Sequence, residues 1–441
     1  MNAHQLDEML INKIEAYSLA DESYWSFKGR STRQHCHALI QYPAMMVPEM
    51  QGELIDAISE IDNNIQTVFD PFVGSGTTLG EAMTRGLNFL GHDINPLAIL
   101  ACEVKSGPLY IKSLKDKLDA LLENINNDAS TEIAIQFNGI DKWFTAGIQI
   151  ELSKIYRAIK SEKSKWARKI FWLSLSNTVR ATCNSRSSTY KLHIKSEDQI
   201  ASIPSAISSF KKNLLKNIEH IAAQKELLRE KNVLERAKAK GNVKIKNIDT
   251  KKIARKPSQC DFLISSPPYG DNQTTVTYGQ FSYLPLMWID LDDIDNLVDR
   301  DFLRNQNTID SSSLGGSLKE AQEKLEKIGD KSPSLCGCIS KINEVDPRNT
   351  RKLISFIYDL DLSLENAISH LRKDAYMVWT LGNRRISNIE VPLDDIMKEL
   401  LQSKNCIFVH QLERNILSKR MASRNQIAST MGKESVLIMR R

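Results

Sequence analysis

The strongest constraint on how this chain can fold is a strand, a glycine turn and a helix in direct succession, followed by a second strand, with both strands ending in an acid. Gln66-Thr67-Val68-Phe69-Asp70 has the β-branched and aromatic content of a buried strand. Pro71 to Gly76 follows as a turn. Thr77 to Arg85 is expected to be a helix closed by Gly86 at a C-cap position, and Asn88 to Asp93 the second strand. Pro96 to Val104 opens a further helix. Strands that alternate with helices are joined by crossovers, which set them parallel in a sheet covered by helices. The fold class expected is α/β.

Gly74 and Gly76 allow a tight turn and a close approach of backbone to ligand. Asp93 stands at the tip of the next strand, where a carboxylate accepts the hydroxyls of an adenosine ribose. A dinucleotide fingerprint would need a third glycine, but position 79 is Leu. A phosphate loop would need Gly-Lys-Ser/Thr, but Gly76 precedes Thr77-Thr78. Neither phosphate pattern fits. S-adenosylmethionine is an adenosine cofactor with no phosphate, so the absence is informative. A tight turn with no ligand is the plain alternative.

Elsewhere, residues 4–20 and Glu49 to Ile61 are expected to be helices. Residues 113–240 look almost wholly helical, broken by the polar stretch Ala181 to Lys191. Asn242 to Asp249, Cys260 to Ser265, Ala375 to Leu381, Cys406 to Gln411 and Ser435 to Met439 complete seven strand candidates. Arg351 to Lys373 and Val391 to Leu401 are helices, and 270–350 is expected to be low in regularity. The expected architecture is one doubly wound, mostly parallel seven-stranded sheet with a large helical insertion. Its parts are an N-terminal segment and first half of the core (1–112), a basic helical insertion (113–241), and the second half of the core (242–441) with an insertion at 271–350.

The second chemical feature is Ser266-Pro267-Pro268-Tyr269, directly after a buried strand. Two prolines remove two backbone donors, so neighbouring carbonyls are free to accept hydrogen bonds from elsewhere. The amino group on a nucleic-acid base is such a donor, and its lone pair is delocalised into the ring. Acceptance of its hydrogens by the Ser266 hydroxyl and the Pro267 carbonyl returns electron density to nitrogen, and Tyr269 offers a flat face for an extruded base. Positioning and partial charge then do most of the activation. Alone, the motif is equally a proline corner after a strand.

Charge is uneven. The chain is only +5, yet residues 151–256 hold 26 Lys and Arg against nine Asp and Glu. That asymmetry suggests a polyanion partner, with a solvated basic helix surface as the alternative. Seven scattered cysteines do not suggest a disulfide framework. Cys336-Gly337-Cys338 has no second pair at zinc spacing, and His35 and His37 flank Cys36 on what reads as extended chain, so these are taken as polar loop residues and no metal site is expected. The N-terminal residues lack the apolar run of a signal peptide, and no stretch is long and apolar enough to span a membrane. A cytoplasmic location is expected.

Asp70 to Thr78 resembles the cofactor motif of S-adenosylmethionine-dependent DNA amino-methyltransferases, and Ser266 to Tyr269 resembles their catalytic motif. His37 to Pro48 resembles the segment that closes over the methionine end of the cofactor, Asn247-Ile248-Asp249 the third strand tip near the adenine, and Arg414 to Arg420 the basic stretch before the closing hairpin strand. The resemblance implies a Rossmann-like methyltransferase fold. It implies cofactor contacts from Tyr42, Pro43, Asp70, Pro71, Phe72, Gly74, Gly76, Thr77, Asp93, Ile94 and Asp249, with Ser266, Pro267, Pro268 and Tyr269 as the reaction centre. Arg180, Arg186, Lys191, Thr275, Tyr278, Lys419 and Arg420 are the candidate contacts to double-stranded DNA. Either the basic insertion or 271–350 would recognise the target sequence. The Ser form of the motif is associated with cytosine-N4 enzymes, but most of those carry the catalytic motif first. Adenine-N6 methylation therefore stays as the near alternative, and RNA guanine-N2 methylation as one of another class. A cognate restriction endonuclease is a possible partner. Carbon-5 cytosine chemistry would need a Pro-Cys pair, which the chain lacks.

Overall fold

Apolar side chains on both faces of successive strands dictate a sheet buried on both sides. The computed structural model describes residues 2–31, 33–254, 256–295, 298–416 and 433–441. The strands are β1 (Thr67–Asp70), β2 (Asn88–Asp93), β3 (Val243–Asn247), β4 (Cys260–Ser265), β5 (Leu371–Leu381), β6 (Ile407–Asn415) and β7 (Lys433–Arg440). They form one sheet in the order β6-β7-β5-β4-β1-β2-β3. Among these strands β7 runs against the direction of the other six. Side chains alternate between the two faces. Val68, Phe262, Ile264, Val378 and Ile438 enter one core, and Phe69, Leu263, Met377, Trp379 and Leu437 the other. This is the Rossmann-like methyltransferase architecture.

The register Val68↔Phe262 and Phe69↔Leu263 sets β1 beside β4, so the tips at Asp70 and Ser265 lie side by side. β2 pairs with β1 on the other side, which brings Asp93 to the same edge. All three turns that follow these strands therefore open on the carboxyl edge of the sheet, the usual ligand side of an α/β fold.

The first face is covered by α1 (Ala3–Ala20), α2 (Pro48–Ile61), α3 (Thr77–Thr84) and α4 (Pro96–Ser106). The long section after α4 is helical in four main pieces: α5 (Ile111–Asn127), α6 (Ala146–Ser161), α7 (Lys165–Thr182) and α8 (Ala206–Glu230). Their apolar faces share the core of the first sheet face rather than forming a separate one. Segments 128–139 and 183–196 carry no helix, and the section ends in a small ribbon, Leu234–Glu235 with Lys238–Ala239. It is thus less uniformly helical than its composition suggests.

Residues 270–350 depart further from expectation. They contain α9 (Tyr278–Met287), α10 (Ala321–Ile328) and α11 (Pro333–Val345), besides shorter turns of helix. For α11 the signal was local capping. Ser332 accepts from the Leu335 amide with Pro333 in the first turn, a start signal that an apolar-period search misses. Asp346-Pro347 likewise starts α12 (Pro347–Ser369), four residues before the expected boundary, and the segment from Leu371 is strand rather than helix. α13 (Leu393–Gln402) follows, with α12 covering the second face. Before it, Arg384–Ile386 and Ile389–Val391 form an unforeseen ribbon.

The His35-Cys36-His37 segment is not a polar extended loop. It is one turn of 3₁₀ helix with Cys36 and His37 buried. His37 Nε2 lies 3.1 Å from Glu81 Oε1, and the missing side chain of Gly80 makes its room, since a Cβ there would fall 2.5 Å from His37 Cε1. The first helix and last strand are tied together: Arg440 grips Asp7 at 2.9–3.2 Å and Asp374 at 2.8 Å. Among the described residues no helix is long and apolar enough to cross a membrane.

His92 lies wholly buried between Phe69 and His370, with neither ring nitrogen hydrogen-bonded. Burial, then the neighbouring His370 and Lys246, lowers its pKa to about 3. The unfolded chain therefore takes up this proton first, and stability falls as pH drops from the ordinary histidine value toward 3. Denaturant titrations of the wild type should lose roughly 2 kcal/mol from this group between pH 7.5 and 5. In His92→Phe this contribution should vanish, so wild type should lose roughly 2 kcal/mol more than the variant over this range. The other shifted groups, His37 and His370 lowered by burial and Asp70 and Asp93 raised by it, act alike in both proteins. An identical acid limb in the variant contradicts the assignment.

Candidate functional site

At the tip of β1, Asp70 Oδ1 accepts the Phe72 amide at 3.0 Å and the Ser265 hydroxyl at 2.6 Å. The chain then turns through Gly74 at φ +50° and Gly76 at φ +79°, a left-handed region that side chains disfavour. A Cβ on Gly76 would also meet Cys102 Sγ at 2.9 Å. Lys105, buried on α4, braces the turn from behind by donating to the Gly76 carbonyl at 3.3 Å. Asp93 closes it from the front. Its Oδ2 accepts the Gly74 amide at 2.9 Å and its Oδ1 the Asn95 amide at 2.8 Å. Burial raises the carboxyls of Asp93 and Asp70 to about 6, against the pull of these same hydrogen bonds.

In front of the turn lies a cleft of about 850 Å³, open mouth included. Of the residues expected at a cofactor, Tyr42, Pro43, Pro71, Phe72, Gly74, Thr77, Asp93, Ile94 and Asp249 line it. Asp70 and Gly76 do not; they stand behind the turn and shape it. Ser266 and Pro268 form another part of the same wall, whereas Pro267 and Tyr269 are set back from it. Tyr278 lines the cleft too, its ring 5.7 Å from that of Tyr42. Met45, from the segment expected to close over the cofactor, lines it too, and residues without a sequence signal also contribute: Asn95, Thr250, Asn272 and Leu314. Asn95 donates to Tyr42 Oη at 2.9 Å and to Ser282 Oγ at 2.7 Å, so it orients the upper wall.

The cleft's donor set bears on which ligand fits. Two carboxylates, Asp93 and Asp249, line it, and among the described lining residues there is no Lys, Arg or His. Such a wall suits a cationic adenosine ligand and is unsuited to phosphate. The residues present therefore fit S-adenosylmethionine, whose sulfonium is positive.

Ser266 is half-buried at the cleft wall, with its Oγ 3.3 Å from Tyr269 Oη. Tyr269 Oη in turn lies 3.1 Å from Glu434 Oε1, and Arg414 holds Glu434 Oε2 through Nε at 2.8 Å and Nη2 at 2.6 Å. Burial, then the Glu434 charge, holds the Tyr269 phenol protonated.

The expected nucleic-acid residues are dispersed. Arg186 and Lys191 are exposed on the irregular segment after α7, which docks on α9 through the Leu192 amide and Gln280 Oε1 at 3.1 Å. Arg180 is not an open surface charge. Its guanidinium covers the Phe281 ring at 4.9 Å, donates to the Thr189 carbonyl at 3.3 Å and leaves Nη1 buried without a partner. The Thr275 hydroxyl is turned to the Asp271 carbonyl at 2.7 Å. Arg414 is engaged by Glu434, and Lys419 and Arg420 lie outside the described residues.

A family model described as DNA methylase (N6_N4_Mtase) matches residues 11–102, which include the glycine turn and Asp93. The Type II methyltransferase M.MvaI of Kocuria varians is 29% identical, covering 98% of this chain and 95% of that protein. The Type II methyltransferases M.MjaII of Methanocaldococcus jannaschii and M.BsoBI of Geobacillus stearothermophilus are each 30% identical, over 27% and 29% of this chain and 24% of either relative. These matches support the DNA amino-methyltransferase family for this chain. That family implies S-adenosylmethionine as the methyl source.

Gly76→Ala should destabilise the protein by about 1–3 kcal/mol, through strained φ and the overlap with Cys102 Sγ. Adding Cys102→Ala should recover the overlap part and not the φ part. Thermal unfolding of the two variants measures this, and a Gly76→Ala protein as stable as wild type contradicts the turn geometry.

Proposed function

We propose that this protein is a site-specific DNA methyltransferase that transfers a methyl group to the exocyclic N4 of a cytosine extruded from the duplex. The observation that carries the reading is one cleft walled on one side by Asp93 and Asp249 and on another by Ser266 and Pro268. A cofactor and an amino group held there would meet. When bound, S-adenosylmethionine supplies an electrophilic methyl carbon.

Asp93 accepts the ribose hydroxyls, the glycine turn lies against the methionine end, and Asp249 sits near the adenine. Tyr42 and Pro43 close the cleft from above. The Ser266 hydroxyl, at the cleft wall, accepts a hydrogen of the target amino group and makes its nitrogen a better nucleophile, with the Pro267 carbonyl, set back from the wall, as the proposed second acceptor. Tyr278, which lines the cleft, offers a ring face to the extruded base, and Tyr269, set back, is reached only if the base enters past Ser266. A proton leaves the nitrogen after attack, so no strong base is needed. The choice of cytosine rests on Ser at position 266, which supplies a hydroxyl where adenine-N6 relatives carry an Asp or Asn side chain.

The section 113–241 is the proposed target-recognition region, with Arg186 and Lys191 as phosphate contacts and Arg180 as a support for that loop. Thr275 borders the base pocket through its methyl group. Restriction–modification, with a cognate endonuclease, is the proposed setting, and the cytoplasm the proposed location. The family supports this reading, since its named relatives are Type II methyltransferases.

The test is methyl transfer from labelled cofactor to double-stranded DNA, followed by digestion to nucleosides. N4-methylcytosine is expected. N6-methyladenine would move the target base, and unlabelled DNA beside labelled RNA would overturn the proposal. Ser266→Ala should slow single-turnover transfer about 100-fold or more with cofactor affinity little changed. Asp93→Ala should weaken cofactor binding about tenfold or more, read by calorimetry, while transfer at saturating cofactor falls less.

A further inference from the structure

A serine hydroxyl is an ambiguous group in this role. It both donates and accepts, whereas the task assigned to Ser266 requires acceptance only. Asp offers acceptors alone, and Asn has a carbonyl to present. Something must therefore point the Ser266 hydrogen away from the cleft.

The hydrogen bonds behind Ser266 supply that direction. Glu434, on β7, is held by Arg414, which spans Oε2 with two nitrogens. The two guanidinium nitrogens take Oε2, and a carboxylate accepts only. Tyr269 has one hydroxyl hydrogen, so it donates to Glu434 Oε1 at 3.1 Å. The Tyr269 oxygen is then left to accept, and the hydrogen it accepts is that of Ser266 at 3.3 Å. With its hydrogen committed there, Ser266 turns its lone pairs toward the cleft that it lines.

We infer that Glu434 is a positioning residue that makes Ser266 a hydrogen-bond acceptor for the target amino group, acting through Tyr269. The inference rests on the role given to Ser266 above and extends it to a side chain 168 positions along the chain.

Glu434→Gln tests it by reversing the chain of donors. Arg414 is a donor only, so it claims the Gln oxygen and leaves the amide hydrogens facing Tyr269. Tyr269 then donates to Ser266, and Ser266 presents its hydrogen to the cleft. Single-turnover methyl transfer to duplex DNA at saturating cofactor should fall about tenfold or more, as for loss of an oriented hydrogen bond at a reacting group. The Kd for S-adenosylhomocysteine should stay within about twofold, because the turn and Asp93 are untouched. Tyr269→Phe should slow transfer as well. The double variant should be no slower than the slower single one, since both interrupt one chain.

Ser266→Asn carries its own carbonyl, so in that background Glu434→Gln should have little effect. Equal losses in the Ser and Asn backgrounds would show that Glu434 acts through packing and would overturn the inference. So would additive losses in the double variant, or a Glu434→Gln rate within about twofold of wild type. If Ser266→Asn is inactive, the cycle with Tyr269→Phe decides alone. A wild-type protein that methylates no DNA overturns the function on which this rests. An active wild type matched by Glu434→Gln overturns the inference only.

Discussion

The buried hydrogen bond from Ser265 Oγ to Asp70 Oδ1 joins the two halves of the site. It links the tips of adjacent parallel strands that are 195 positions apart in the chain, and each tip leads into one of the two turns. Asp70 is fully buried, and burial raises its pKa to about 6. The desolvation cost is offset by the Phe72 amide and the Ser265 hydroxyl, both of which also define where their turns begin. Asp70 therefore sets the distance between the glycine turn and the Ser-Pro-Pro-Tyr turn without reaching the cleft. Around it the rest of the site is arranged by similar indirect contacts, with Lys105 behind Gly76 and Thr250 donating to the Pro71 carbonyl at 2.8 Å.

Much of the sheet was legible because its strands are short apolar runs buried on both faces. β2 and β4 begin and end where the apolar runs do, and the acids at the tips of β1 and β2 mark the ligand edge. The helices of 270–350 were less legible because they are short; α11 starts from the Ser332 cap rather than from a sustained period, and α9 and α10 have no side-chain cap to mark them. In the site, Gly74 and Asp93 carry a signal in their spacing, and both line the cleft. Asn95, Asn272 and Leu314 carry none, because they reach the wall only through tertiary packing. Glu434 is of the same kind. Its meaning comes from Arg414 and Tyr269, which no local pattern connects to it.

The basic segment shows how a charge count differs from a charged surface. Arg157 pairs with Asp128, Lys160 with Asp290, Arg168 with Asp293 and Lys169 with Glu103. Arg168 is bidentate on Asp293, which also accepts the Trp172 indole at 2.7 Å. Three of these cations bind the helical section to the segments around it and Arg157 ties it internally, so part of the positive excess is structural. Arg180 goes further: it is spent over Phe281, where it stiffens the loop that bears Arg186 and Lys191. Arg186 and Lys191 are left exposed on it.

β7 lies between β5 and β6, two strands that are parallel to one another and both precede it in the chain. During synthesis those two strands are made with a slot between them that nothing yet fills. Until residues 433–440 emerge, β5 has a bare edge of unpaired amides and carbonyls, a template for wrong partners. Its neighbour on the far side, β4, leads into the Ser-Pro-Pro-Tyr turn. The closing strand thus works as a late keystone: it carries Glu434, which accepts from Tyr269, and Arg440, which anchors the first helix at Asp7.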